Sequence, residues 1–134
     1  MPIGACWAKG HLADAFVPGD HGSTFGGQPL ACSAALATLR ELVRIDAPGR
    51  AAELGGRLAE GLSSLPGIGE VRGRGLLLGA VLAGRSAPEV ASAALEAGLV
   101  VNPIGSAVLR FAPPLTVSAS EIDEALDLLE GVLA

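Results

Sequence analysis

Nineteen glycines and nine prolines cut this 134-residue chain into short lengths, and most lengths between the cuts carry the pattern of one helix or one strand. The breakers fall between patterned segments rather than in runs, so they mark turns and not low complexity. The longest apolar stretch, residues 75–83, is strand-sized and well short of the roughly 18 residues a membrane-spanning helix needs. Half of the residues are hydrophobic and mean hydropathy is +0.51, which excludes a disordered chain. A chain of this size buries roughly two-thirds of the surface its unfolded form exposes, so a real core is within reach.

Residues 3–8 form a short apolar run compatible with a strand, and residues 10–18 read as a short helix or loop. Residues 18–29, P-G-D-H-G-S-T-F-G-G-Q-P, form an exposed, shaped loop. Pro29 then opens a helix, since proline is tolerated in a first turn. Leu36, Leu39 and Val43 give that helix one apolar stripe. Its first half, residues 30–37, is small and apolar, which predicts burial all round and makes Cys32 a small core residue. Asp46-Ala-Pro-Gly49 breaks the chain, and Leu54, Leu58, Leu62 and Leu65 mark a second helix ended by Pro66-Gly67. Residues 68–72 and 75–83 read as a hairpin around Gly73-Arg74-Gly75. Ser86-Ala-Pro-Glu89 is a capping-box pattern that starts a third helix, with Gly98 as its stop. Short strands are expected over 99–101 and 107–111, and Ser118-Ala-Ser-Glu121 opens a last amphipathic helix.

The order β, loop, α, α, β, β, α, β, β, α predicts an α+β layer, with helices on one face of a mostly antiparallel sheet. A boundary falls near 46–49, dividing residues 1–46 from 47–134. Nine basic against 14 acidic residues, net −5, argue against a nucleic-acid partner. Aromatics at 3% supply no base-stacking platform. The start of the chain lacks a basic stretch followed by an apolar one, so no signal peptide is expected. Two cysteines, Cys6 and Cys32, form no disulfide framework and fit a reduced, cytoplasmic setting. With His11 and His21 they show no metal-ligand spacing, so no metal is expected.

Two places carry chemistry. In the loop, Ser23 and Thr24 offer hydroxyls beside glycines and ahead of a helix N-terminus, which suits a phosphate; the same hydroxyls also suit plain helix capping. Arg110, in Leu-Arg-Phe-Ala-Pro-Pro-Leu115, suits bidentate capture of a carboxylate or, equally, an edge-strand position facing water. Gly73-Arg-Gly75 leads into a strand, so it is a turn rather than a phosphate loop.

Taken together and in order, Pro2-Ile-Gly-Ala5, the loop motif of 18–29, Val-Arg-Gly-Arg-Gly-Leu-Leu-Leu-Gly79, Leu-Val-Val-Asn102 and Leu-Arg-Phe-Ala-Pro-Pro-Leu115 resemble the C-terminal part of class III pyridoxal-phosphate-dependent aminotransferases, most of all the acetylornithine branch. The resemblance implies the C-terminal small domain of a fold type I enzyme, preceded by a strand, loop and long connector helix of the large cofactor domain. It implies a cytoplasmic homodimer that moves the δ-amino group of N-acetylornithine to 2-oxoglutarate. Ser23 and, chiefly, Thr24 match the loop that holds the cofactor phosphate across the dimer interface, and Arg110 matches the arginine that grips the substrate α-carboxylate. Gln28 stands where the family usually has asparagine. The family's Schiff-base lysine matches a position ahead of Met1, and Lys9 does not match it. No catalytic residue is therefore assigned, and these 134 residues are expected to be a fragment that is inactive alone. The alternatives are a non-catalytic dimerisation remnant, an enzyme acting on ornithine, 4-aminobutyrate or another ω-amine, or an unrelated phosphate-binding domain.

Overall fold

A computed structural model describes residues 2–20 and 22–134, so His21 of the loop motif lies outside the described residues. The chain divides into two compact units, one up to Arg44 and one over Ile45–Ala134.

The second unit contains helix α2 (Ala47–Ser64), strands β1 (Ile68–Arg74) and β2 (Leu77–Leu82), helix α3 (Ala87–Glu96), strands β3 (Asn102–Ile104) and β4 (Val108–Phe111), and helix α4 (Ala119–Leu133). The strands form one antiparallel sheet in the order β1-β2-β4-β3. Strand alternation decides which face is covered. Leu78, Ala80, Leu82, Leu109 and Phe111 point to one face and are buried there with Leu54, Leu58 and Leu62 of α2, Val90 of α3, and Ile122 and Leu129 of α4. Burying one such leucine side chain stabilises the fold by about 1.5–3 kcal/mol. The opposite face carries Leu77, Gly79, Val81, Val108 and Arg110, and the helices of this unit pack with the other face. Helix α2 packs closely on the β1–β2 turn because it presents Gly55 there: a Cβ would collide with the Gly75 carbonyl.

Helix starts follow the sequence in part. Asp46 takes a left-handed conformation (φ 47°), and its carboxylate accepts from the Gly49 N–H. At α4 the capping box is complete: Ser118 Oγ accepts from the Glu121 N–H, and the Glu121 carboxylate accepts from the Ser118 N–H at 2.7 Å. At α3 the expected box is absent, and the Ser86 side chain makes no cap. There the Ala87 N–H already donates to the Ser106 carbonyl at 2.8 Å, and Pro88 has no N–H, so few orphan donors remain to reward a cap. The strand expected over 99–101 begins instead at Asn102, because the Leu99 N–H is used to close α3 on the Ala94 carbonyl.

The first unit holds a 3-10 turn (Gly10–Asp14) and helix α1 (Pro29–Arg44), which Pro29 opens as its sequence dictates. The strand expected over 3–8 does not form: those residues are exposed coil. No strand lies beside them among the described residues of this unit, so their backbone groups have no ladder to join. The burial expected for the first half of α1 is likewise corrected. Of its described residues only Ala31 is buried, and Cys32 is exposed. Small apolar residues mark a helix fit for close packing, but among the described residues of this unit only Ala31 is covered.

Candidate functional site

The loop ahead of α1 is built from two tight turns. The Val17 N–H donates to Asp20 Oδ2 at 2.9 Å while the Asp20 N–H returns to the Val17 carbonyl, so this carboxylate is occupied locally. A second turn closes with the Gly26 N–H on the Ser23 carbonyl, and the Cys32 N–H on the Gln28 carbonyl begins the α1 ladder. Beside that helix start lies a hollow of about 700 Å³, bordered by Pro2, Ile3, Ser23, Gly26, Gly27 and Gln28 among others. Ser23 lines it; Thr24 sits in the same turn but not on the hollow wall. Neither hydroxyl forms a hydrogen bond among the described residues, so neither caps α1. No acidic side chain lines the hollow.

Arg110 stands in the second unit, on the sheet face away from that unit's core. The register sets it opposite Gly79 on one side and Asn102 on the other. Its neighbours Leu109 and Phe111 alternate into the core and fix the backbone that carries it. Its guanidinium is exposed and has no partner among the described residues. Beside it a hollow of about 380 Å³ runs along Asn102, Phe111, Pro113 and Pro114. The structure thus brings Ser23 and Thr24 into one turn of one unit, and Arg110 onto the sheet of the other. Sequence reading singles out Arg110 but not Asn102 or Arg72. Alternation along β1, with Val71 toward the core and Arg72 outward, is the signal that joins Arg72 to this face once the register is known.

A sheet of this order carrying an outward arginine before Pro-Pro, in a chain with the glycine-rich loop, matches known proteins over nearly its full length. The family model for class-III aminotransferases matches residues 1–133. The chain belongs to the class III aminotransferases. The acetylornithine aminotransferase of Gloeobacter violaceus is 50% identical over 139 residues, covering 100% of this chain and 34% of that protein. Ornithine aminotransferase 2 of Staphylococcus aureus is 45% identical over 134 residues, covering 98% of the chain and 34% of that protein. Among solved structures, the ornithine aminotransferase of Toxoplasma gondii superposes with a TM-score of 0.82 at 33% identity, over 92% of this chain and 31% of that one. The acetylornithine aminotransferase of Elizabethkingia anophelis gives 0.81 at 30% identity, over 91% and 34%. The chain therefore spans about a third of the length of the relatives it matches.

Class III aminotransferases use pyridoxal phosphate, which the Toxoplasma structure holds at partial occupancy in its active site. The fold is that of the small C-terminal α+β domain of such aminotransferases, helices on one face of an antiparallel four-stranded sheet. The loop residues fit the phosphate end of that cofactor. Two hydroxyls without partners among the described residues and a helix N-terminus form a donor set for an anion, and no carboxylate of the described residues lines the hollow to repel it.

Proposed function

We propose that these residues are the C-terminal third of a homodimeric, cytoplasmic aminotransferase that moves the δ-amino group of N-acetylornithine to 2-oxoglutarate. In this reading residues 1–46 end the large cofactor domain and residues 47–134 form the small domain. Thr24, with Ser23, donates hydroxyl hydrogen bonds to the cofactor phosphate across the dimer interface. When bound, pyridoxal phosphate supplies the electron sink for amino-group transfer. Arg110 takes the α-carboxylate of donor and acceptor in turn through two parallel N–H···O bonds and so orients each for reaction.

The observation that carries the reading is Arg110 itself: a guanidinium without a partner among the described residues, held by a strand whose flanking residues are locked in the core. The acetylornithine aminotransferase relatives at 43–50% identity support the donor. Ornithine is the second reading, because ornithine aminotransferase 2 is 45% identical over the same span. The chain's one lysine, Lys9, does not match the family's Schiff-base lysine, so these 134 residues alone are expected not to transaminate.

Steady-state kinetics of the holoenzyme carrying these residues test the reading. The expected result is a higher kcat/KM for N-acetylornithine than for ornithine with 2-oxoglutarate as acceptor. Glutamate should not form with the 134-residue chain plus cofactor beyond the rate of free cofactor. A preference for ornithine overturns the donor, and turnover by the chain alone overturns its assignment as a binding portion.

A further inference from the structure

Three glycines lie within the strands of the second unit, Gly69 and Gly73 in β1 and Gly79 in β2. Glycine is a weak strand former, so each calls for a reason. Gly69 sits at the bulge where the β1–β2 register slips between Ile68 and Glu70. Gly73 has φ 133° and lies against the Leu77 carbonyl, which a Cβ would strike. Gly79 has neither reason. It is absent from the positive-φ positions, and a Cβ built on it meets Val108 Cγ1 at 3.4 Å and Arg72 Cγ at 3.9 Å, which are ordinary contacts. The backbone and packing of this unit accept an alanine there, and strand propensity favours one.

The place of Gly79 in the sheet is what sets it apart. Strand β2 is interior, and Gly79 pairs with Arg110 of β4 on one side and Arg72 of β1 on the other. It lies on the sheet face away from the core and borders, with Arg110, one hollow of about 630 Å³. Residues directly opposite on antiparallel strands hold their Cβ atoms about 5 Å apart, so a side chain at position 79 would stand against the Arg110 stem. The other register neighbour of Arg110 is Asn102, which is uncharged and does not compete for the guanidinium as a carboxylate would.

We propose that Gly79 is a positioning residue for Arg110: its missing side chain leaves clear the floor over which the guanidinium turns to meet the substrate carboxylate. The proposal rests on the reading of Arg110 as a carboxylate ligand and adds a condition to it, that the position opposite this arginine stays empty. A side chain there displaces the fork without removing it, and a fork moved by about 1 Å no longer makes both of its parallel bonds. The loss falls on donor and acceptor alike, because both use Arg110 in turn, and it grows with the size of the residue at 79.

Steady-state kinetics of the holoenzyme carrying Gly79→Ala or Gly79→Val decide it, read beside melting temperature and cofactor Kd. KM for N-acetylornithine and for 2-oxoglutarate should rise together, about fivefold with alanine and about 20-fold or more with valine. Cofactor Kd should stay within about twofold, since the phosphate loop lies in a different segment. Melting temperature of Gly79→Ala should hold or rise, so the kinetic loss runs against stability. Adding Gly79→Val to Arg110→Ala should cost no more than about twofold beyond Arg110→Ala alone, because no fork is left to displace. Both KM values within about twofold of the parent overturn the proposal, as does a valine effect that adds in full to that of Arg110→Ala. A lower melting temperature for Gly79→Ala also overturns it and makes the glycine a close-packing residue of the whole enzyme. Arg110→Ala by itself separates the two readings. If it leaves both KM values in place, the carboxylate reading of Arg110 fails and takes the proposal with it; if it raises both while the Gly79 variants do not, Gly79 alone is refuted.

Discussion

A hydroxyl without a partner gains much when an anion arrives, because no existing bond has to break. Among the described residues Thr24 and Ser23 are in that state, and the only carboxylate of their loop, Asp20, is turned onto the Val17 N–H. A hydrogen bond from a hydroxyl to a charged phosphate contributes about 1.5–3 kcal/mol. Thr24→Ala in the holoenzyme is therefore expected to raise the cofactor Kd by roughly 10- to 150-fold, measured by titration of the apoenzyme. Ser23→Ala is expected to do less, and an unchanged Kd for Thr24→Ala removes the residue from the cofactor site. Arg110→Ala should act on substrates instead. KM should rise for donor and acceptor together, with at least about 2 kcal/mol lost in kcat/KM and the cofactor Kd unmoved. A fall in melting temperature with both KM values intact would make Arg110 a structural residue.

At the scale of elements, the two sequence patterns Ser86–Glu89 and Ser118–Glu121 look alike and behave differently. Ser118 caps α4, and Ser86 does not cap α3. Ser118→Ala should cost about 1 kcal/mol, and Ser86→Ala should stay within about 0.5 kcal/mol, both read by thermal unfolding. Acid should find the same helix. Hydrogen bonds from the Ser118 backbone hold the Glu121 carboxyl below its usual range, and the Arg57 guanidinium does the same to Asp123. Folded-state values below the unfolded ones add stability above the ordinary carboxylate range near pH ~4, and that stability is lost as pH falls through the lowered values. Melting temperature should drop on acidification, and Asp123→Asn should flatten the drop. Such differences set the limit of what was legible in the sequence. Periodicity located α2, the hairpin and α4, because Leu54, Leu58 and Leu62 or Ile122 and Leu129 follow the helical repeat that burial enforces. It misplaced the strand after α3, where a hydrogen bond to Ala94 decides the start, and it overstated the 3–8 segment, whose pairing depends on neighbours rather than on its own residues. Arg110 stood out by its Pro-Pro context, but Arg72 and Asn102 join it only through strand register, which no local pattern specifies.

At the scale of the molecule, the two units differ in kind. Ile45–Ala134 is organised around one continuous apolar core, whereas the described residues up to Arg44 bury a single alanine. Amide exchange should report this directly. Core amides of α2, β2 and α4 should exchange about 100-fold or more slowly than those of the loop before α1. Uniform protection along the 134 residues would contradict it. Trp7, Phe25 and Val43, each about four-fifths exposed, have a further effect in concentrated solution. They are adhesive points, and at neutral pH only mutual repulsion from the net charge of −5 opposes sticking. That repulsion vanishes at the isoelectric point near 4.9, a pH at which the Asp123 and Glu121 carboxyls, both lowered, still hold their contacts. The chain should therefore have its solubility minimum on the mildly acidic side, and it should be purified and stored in dilute buffer well above pH 5.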